Sequence, residues 1–337
     1  MLAQQWVVEE ATTLPGFIGA FFHGSITWLE DDAVLSLSSD VDIMVVLSGE
    51  MPAVKLGKFR HQGVLLEVSY LAADEISSAE QVLGTFYLAG SLRTATPIAD
   101  PTGKLKAIQQ VVAQEFAKPQ WVRARCQQAG DKILSNLQSI ETYTQFHDQV
   151  SAWLFGTSLT TIVLLLAGLK NPTVRKRYVA VKELLMEHGY GDFYEELLDL
   201  LGCRQISQER CRAHLAALTE VFDVAKSVVK TPIFFASDIS DDARPIAIDG
   251  SRNLIDNGLQ REAIFWLVAT YARCQKVLAQ DTPRHVFEQF DLPFRALLAD
   301  LGIQTLDDIL ARRERVKGFL PRLWDVAETL IKANPVL

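Results

Sequence analysis

Three short stretches carry the residues best suited to chemistry. They are His23-Gly24-Ser25, then Asp40-Val41-Asp42 running into Ile43-Met44-Val45-Val46-Leu47, then Glu67 inside Val64-Leu65-Leu66-Glu67-Val68-Ser69-Tyr70-Leu71. Side chains alternate across a strand, so Asp40 and Asp42 project to one face with Cα atoms about 6.6 Å apart. Two carboxylates at the entrance to an apolar strand repel each other unless a cation sits between them. A divalent ion answers that repulsion. Mg²⁺ is typically held by one or two carboxylates plus substrate phosphates, and two ions about 4 Å apart can clamp an in-line phosphoryl displacement. Glu67 interrupts an apolar run, and burying it unpaired costs several kcal/mol. If its strand neighbours the first, Glu67 joins the same site. Gly24 permits close approach of the backbone after a strand, and Ser25 offers a hydroxyl and an N–H to a phosphate. A Gly-Ser turn or an Asp-x-Asp pair alone is ordinarily a turn or a cap; the conjunction of all three stretches points to a metal–nucleotide site.

The elements that must position these groups are legible as period. Residues 17–22, 41–47 and 64–71 are short, apolar and β-branched, and read as strands of a sheet buried largely on both faces. Residues 3–12 and 75–89 read as helical. Pro97-Ile-Ala-Asp-Pro-Thr-Gly103 interrupts both periods and is the best boundary signal. Beyond it, stripes such as Leu105, Ile108, Val111, Val112 and Phe116, or Cys211, Leu215, Leu218, Phe222 and Ala225, recur at helical spacing. The expected fold is an α+β N-terminal domain over 1–103, a mixed sheet with flanking helices, followed by an all-α domain over 104–337. Residues 231–257, with their Pro, Gly and Asp clusters, read as a long ordered loop, a feature more often functional than idle.

The order hydrophobic strand, Gly24-Ser25, loop, Asp40-x-Asp42, strand, then a strand bearing Glu67 resembles the nucleotidyltransferase superfamily of DNA polymerase β type. Within it, the chain is most similar to the aminoglycoside adenylyltransferases of the streptomycin/spectinomycin type, which pair such a domain with a helical one. The resemblance is carried by residues 14–72 and more weakly by 145–190. It implies transfer of AMP from ATP, or of another nucleoside monophosphate, to a hydroxyl of an aminoglycoside-like or other small molecule, with release of pyrophosphate. It assigns Asp40 and Asp42 to two Mg²⁺ ions and Gly24 and Ser25 to the triphosphate. Glu67 then either deprotonates the acceptor or completes the second ion's shell. The fourteen-residue spacer between Ser25 and Asp40, with Glu30, Asp31 and Asp32, is a departure that would reshape the acceptor pocket. The alternatives are AMP transfer to a protein hydroxyl and a nucleotide-binding regulatory protein.

Further candidates lie in the second half. Asn171 and Pro172 suit a helix start, which would put Arg175, Lys176 and Arg177 in the first two turns, where an anion would offset their clash with the helix dipole. These cations are candidate phosphate ligands. Adjacent Arg261 and Glu262 cannot share one face of a helix, so one of them is a candidate cleft residue. His147, Asp148 and Trp28 are weaker candidates for acceptor or base contacts. With 33 Lys plus Arg against 41 Asp plus Glu, the net charge is −8, which argues against a nucleic-acid partner. Four scattered cysteines and an N-terminus without a basic, apolar leader suggest the cytoplasm, and Leu159–Leu169 is too short an apolar run to span a bilayer.

Overall fold

The computed structural model describes residues 2–30, 32–36 and 38–334. Five strands, β1 (Phe17–His23), β2 (Val41–Leu47), β3 (Gly57–His61), β4 (Val64–Ala72) and β5 (Pro97–Ala99), form one sheet in the order β3-β4-β2-β1-β5. β2 and β4 are parallel; β1–β2, β3–β4 and β1–β5 are antiparallel. The sheet is therefore mixed, and three of its strands coincide with the runs read from the sequence. Two were not anticipated. Gly57-Lys-Phe-Arg-His61 is too polar to stand out as a run, and Pro97–Ala99 lies in the segment expected to be a linker. Proline is tolerated there because β5 is an edge strand.

Alternation along β2 divides the core. Val41, Ile43, Val45 and Leu47 pack with Ala3, Trp6 and Val7 of α1 (Leu2–Glu9). Met44 and Val46 face the other way, with Phe21 and Leu71, onto α2 (Ala79–Gly84), α3 (Ala89–Leu92) and α4 (Lys104–Glu115) through Val82, Leu92, Leu105, Ile108 and Val112. The remaining helices are α5 (Pro119–Ser139), α6 (Phe146–Ala167), α7 (Arg177–Glu187), α8 (Gly191–Leu201), α9 (Gln208–Val228), α10 (Gly250–Asp256), α11 (Gln260–Asp281), α12 (Arg284–Asp300) and α13 (Leu306–Ala333).

The chain divides into two compact units. One comprises the chain up to Gln128 together with Pro232–Asp238; the other comprises Ala129–Thr231 and Ile239–Ala333. The division falls inside α5 rather than at residue 103, because α4 closes one face of the sheet. A second difference concerns 231–257. Pro245–Asp249 is a π-helical turn that runs directly into α10, so that half of the expected loop is helical. Buried Ile246, Ala247 and Ile248 hold it in place, and Ser251 donates to the Ala247 carbonyl at 2.7 Å. The second unit is otherwise helical, as expected. Its α6 is 22 residues long and apolar enough to cross a membrane, longer than the run seen in the sequence; most of its apolar window is buried inside the protein.

Candidate metal and phosphate site

Strand register assembles the site. His23 stands opposite Asp42, Asp42 opposite Glu67, and Glu67 opposite Lys58. Directly paired residues share a face, so these four side chains form one transverse row across β1, β2, β4 and β3. Asp40 lies two residues before Asp42 and on the same side. Carboxylate oxygens of Asp40, Asp42 and Glu67 lie within 4.8 Å of one another. The expected triad is thus brought together, and Glu67 reaches it because β2 and β4 are neighbours.

Two lysines that the sequence reading did not single out complete the cluster. Lys58 Nζ donates to Glu67 and to Asp238 at 2.8 Å and lies 3.3 Å from Asp40, while Lys55 Nζ pairs with the other Glu67 oxygen. Both lysine side chains are under a tenth exposed; those of Glu67 and Asp40 keep 15% and 19% of their surface. Asp238 belongs to the returning segment Pro232–Asp238, which lies so close to β3 that a Cβ on Gly57 would fall 2.1 Å from Ser237 Oγ. Phe234 of that segment is exposed and its ring lies over Lys55 Nζ at 5.3 Å.

The electrostatics divide the three acids. Burial, then the charges of Asp40 and Glu67, push the Asp42 pKa well above the usual carboxylate range. Asp40 is also raised, by burial first and against the pull of Lys58. Burial would raise Glu67 too, but Lys58 and Lys55 outweigh it and hold its carboxyl below the ordinary value. Burial opposes the Lys58 ammonium as well; Asp238, Glu67 and Asp40 overcome it and raise its pKa. Burial lowers His23 to about 4 against a weaker pull from Glu67, so it is neutral at pH 7; Nδ1 lies 2.8 Å from Ser91 Oγ. Asp40 and Asp42 therefore remain in mutual repulsion while Glu67 is already compensated. Hard carboxylate oxygens in this arrangement fit a divalent ion such as Mg²⁺.

Gly24 follows β1 with φ +68°, and a Cβ there would lie 2.2 Å from Asp42 Oδ2. Glycine is required both by the left-handed turn and by the carboxylate beside it. Ser25, the next residue, is exposed. Trp28, in the same 3₁₀ turn, is occupied by packing: the Arg93 guanidinium lies 3.8 Å from its ring centroid and Phe116 meets it edge-on. Of the acidic spacer, Glu30 and Asp32 are described and Asp31 lies outside the described residues.

The candidates in the second unit fare differently. Helix α7 starts at Arg177, not near Asn171, because a tight turn at Pro172, closed by Thr173 N–H to the Asn171 carbonyl at 2.8 Å, delays it. Arg175 and Lys176 precede the helix, and Arg175 packs against Gly250, where a Cβ would fall 2.1 Å from its Nη1. Arg177 is buried. Its guanidinium donates to Ser158 Oγ and the Val174 carbonyl, both at 2.8 Å, and stacks 4.1 Å from the Phe265 centroid, so it holds helices together. Burial lowers its pKa to about 9. Glu262 is also buried, bonded to Lys182 at 2.9 Å and Tyr194 at 2.6 Å, while Arg261 pairs with Glu195. Asp148 accepts from Lys276 at 2.9 Å, and His147 is buried beside Phe287.

One signal in the sequence could have led to Lys58 and Lys55. A carboxylate inside an apolar strand calls for a cation on a neighbouring strand, and the segment leading into the next hairpin carries two lysines. Asp238, 180 residues from Lys58, has no such signal. No family model matches the chain, and no curated protein matches it either.

Proposed function

We propose that the protein is a metal-dependent nucleotidyltransferase that moves a nucleoside monophosphate, AMP from ATP, to a hydroxyl of a small molecule with release of pyrophosphate. The observation that carries this reading is the row of carboxylates beside a glycine turn: Asp40, Asp42 and Glu67 with oxygens within 4.8 Å, and Gly24 pressed against Asp42 at the end of β1. Asp40 and Asp42 are the residues that would hold Mg²⁺, which when bound neutralises the phosphate oxygens and polarises the phosphorus centre. Gly24 lets the backbone approach, and exposed Ser25 offers its hydroxyl and N–H to the phosphates. In-line displacement needs positioning and charge neutralisation more than covalent help, and rigid strands provide the positioning. Arg177 is withdrawn from the phosphate ligands by its burial.

Calorimetric titration of a non-hydrolysable ATP analogue with Mg²⁺ tests the reading, comparing the wild type with the Asp40→Ala/Asp42→Ala double variant. Metal-dependent binding that disappears in the variant, followed by pyrophosphate release in an acceptor screen, supports it. No binding of any of four nucleotides removes its basis. Binding without pyrophosphate release favours the regulatory alternative.

A further inference from the structure

The neighbourhood of Glu67 is already supplied with positive charge. Lys58 stands at the end of the transverse row, with Nζ among Glu67, Asp40 and Asp238, and Lys55 pairs with the second Glu67 oxygen. Every Glu67 oxygen is therefore matched to an ammonium, whereas Asp42 has no cation at hydrogen-bonding distance among the described residues and faces Asp40. The lysines are largely buried and fixed from two sides, by β4 and by the Pro232–Asp238 segment that crowds Gly57, so they are built into the site and do not stray into it from a mobile surface.

We infer that Lys58 is a resident cation standing in for a second metal ion: the site takes one divalent ion, between Asp40 and Asp42, and Glu67 anchors Lys58 and Lys55 without ligating that ion. The inference deepens the metal-dependent reading above and rests on it. It replaces the two-ion expectation drawn from the resemblance. It also makes Lys58 a positioning residue, since its ammonium occupies a Glu67 oxygen that would otherwise be open to the metal, and it gives the distant Asp238 a part in the site as the outer clamp on Lys58.

The test counts ions without using activity. Mn²⁺ is titrated into the full chain without nucleotide, and free Mn²⁺ is read by electron paramagnetic resonance. The wild type is expected to bind one Mn²⁺. Asp42→Asn weakens binding more than about 100-fold, whereas Glu67→Gln stays within about threefold of wild type, because only the former loses a ligand. Lys58→Met frees one Glu67 oxygen, the other staying with Lys55, and raises the count to two; Lys58→Arg keeps it at one. Two ions in the wild type, or a Glu67→Gln loss as large as that of Asp42→Asn, overturns the inference and leaves the metal-dependent reading standing. No Mn²⁺ bound by the wild type, either alone or with the non-hydrolysable ATP analogue present, overturns both. Should Lys58→Met fail to fold, the Glu67→Gln comparison alone decides.

Discussion

Gly24 offers the sharpest test of how the site is held. Replacing it with alanine imposes two separable penalties. The left-handed backbone, φ +68°, costs an L-residue about 1–2 kcal/mol. The added methyl would also sit 2.2 Å from Asp42 Oδ2, 2.8 Å from Cγ and 3.2 Å from Cβ. Relief requires the carboxylate to move along a crowded row, at about 1–3 kcal/mol by analogy with overpacked cores. Gly63, φ +86° with nothing within 4 Å of where a Cβ would stand, carries the first penalty without the second and lies in the same unit. The expectation is that Gly24→Ala destabilises by about 2–5 kcal/mol and Gly63→Ala by only about 1–2 kcal/mol. Urea unfolding of the two variants measures the difference. A double-mutant cycle with Asp42→Ala, which removes the two nearest atoms, should show a coupling of at least about 1 kcal/mol. Equal costs for the two glycines, or no coupling, would refute the claim that Gly24 is required by its carboxylate neighbour.

Four further outcomes follow from the same geometry. Asp42→Asn removes a carboxylate whose ionisation is disfavoured by burial and by Asp40, so it should stabilise the metal-free protein by about 1 kcal/mol or more while abolishing stabilisation by Mg²⁺; thermal melts with and without the ion check both halves. Arg177→Ala should cost about 2–4 kcal/mol, since it strands Ser158 and Val174 and uncovers Phe265, whereas Lys176→Ala should change stability by less than about 1 kcal/mol; chemical denaturation separates them. Glu262→Ala leaves Lys182 and Tyr194 without their shared acceptor and should cost about 3–5 kcal/mol by the same measurement. Burial lowers the His214 pKa against the pull of Asp300, so its contribution is present above the unfolded value near 6.5 and lost as the pH falls through it; His214→Gln should flatten the stability change between pH about 7.5 and about 5.

What was legible in the sequence followed from repetition and from chemical need. β1, β2 and β4 are central, so they read as apolar runs, and Asp42 and Glu67 stood out against them as groups that burial makes costly. β3 and β5 lie at the edges; β3 carries Lys58, Arg60 and His61 among its five residues, and Pro97 is admissible at an edge, so neither run was distinctive. The start of α7 was displaced because the Asn171–Pro172 signals that suit a helix also suit a turn, and the turn forms. Arg177 reads as a candidate phosphate ligand in the sequence because nothing local marks the Phe265 ring beneath it, 88 residues onward in the chain. The cations of the site were hidden for a related reason. Lys58 becomes a buried ion only once Asp238 returns to cover it, and that is a property of the folded chain and not of either segment.

Helix α6 has a consequence that concerns synthesis. It is buried along nearly its whole length, and in the finished protein its cover comes largely from α11 and α13. Gln260, where α11 begins, lies 93 positions beyond Ala167, where α6 ends. At roughly 5–20 residues per second, that stretch takes about 5–19 s to translate, followed by α11 itself and then α13. Throughout that interval the Leu and Val surface of α6 lacks the part of its native cover that α11 and α13 supply, and a chaperone or a bilayer competes with helices not yet made. Slowing translation between the two should lower the yield of folded chain more than the same delay after α13. A helix enclosed by later elements at the end of synthesis is one left partly bare through much of it.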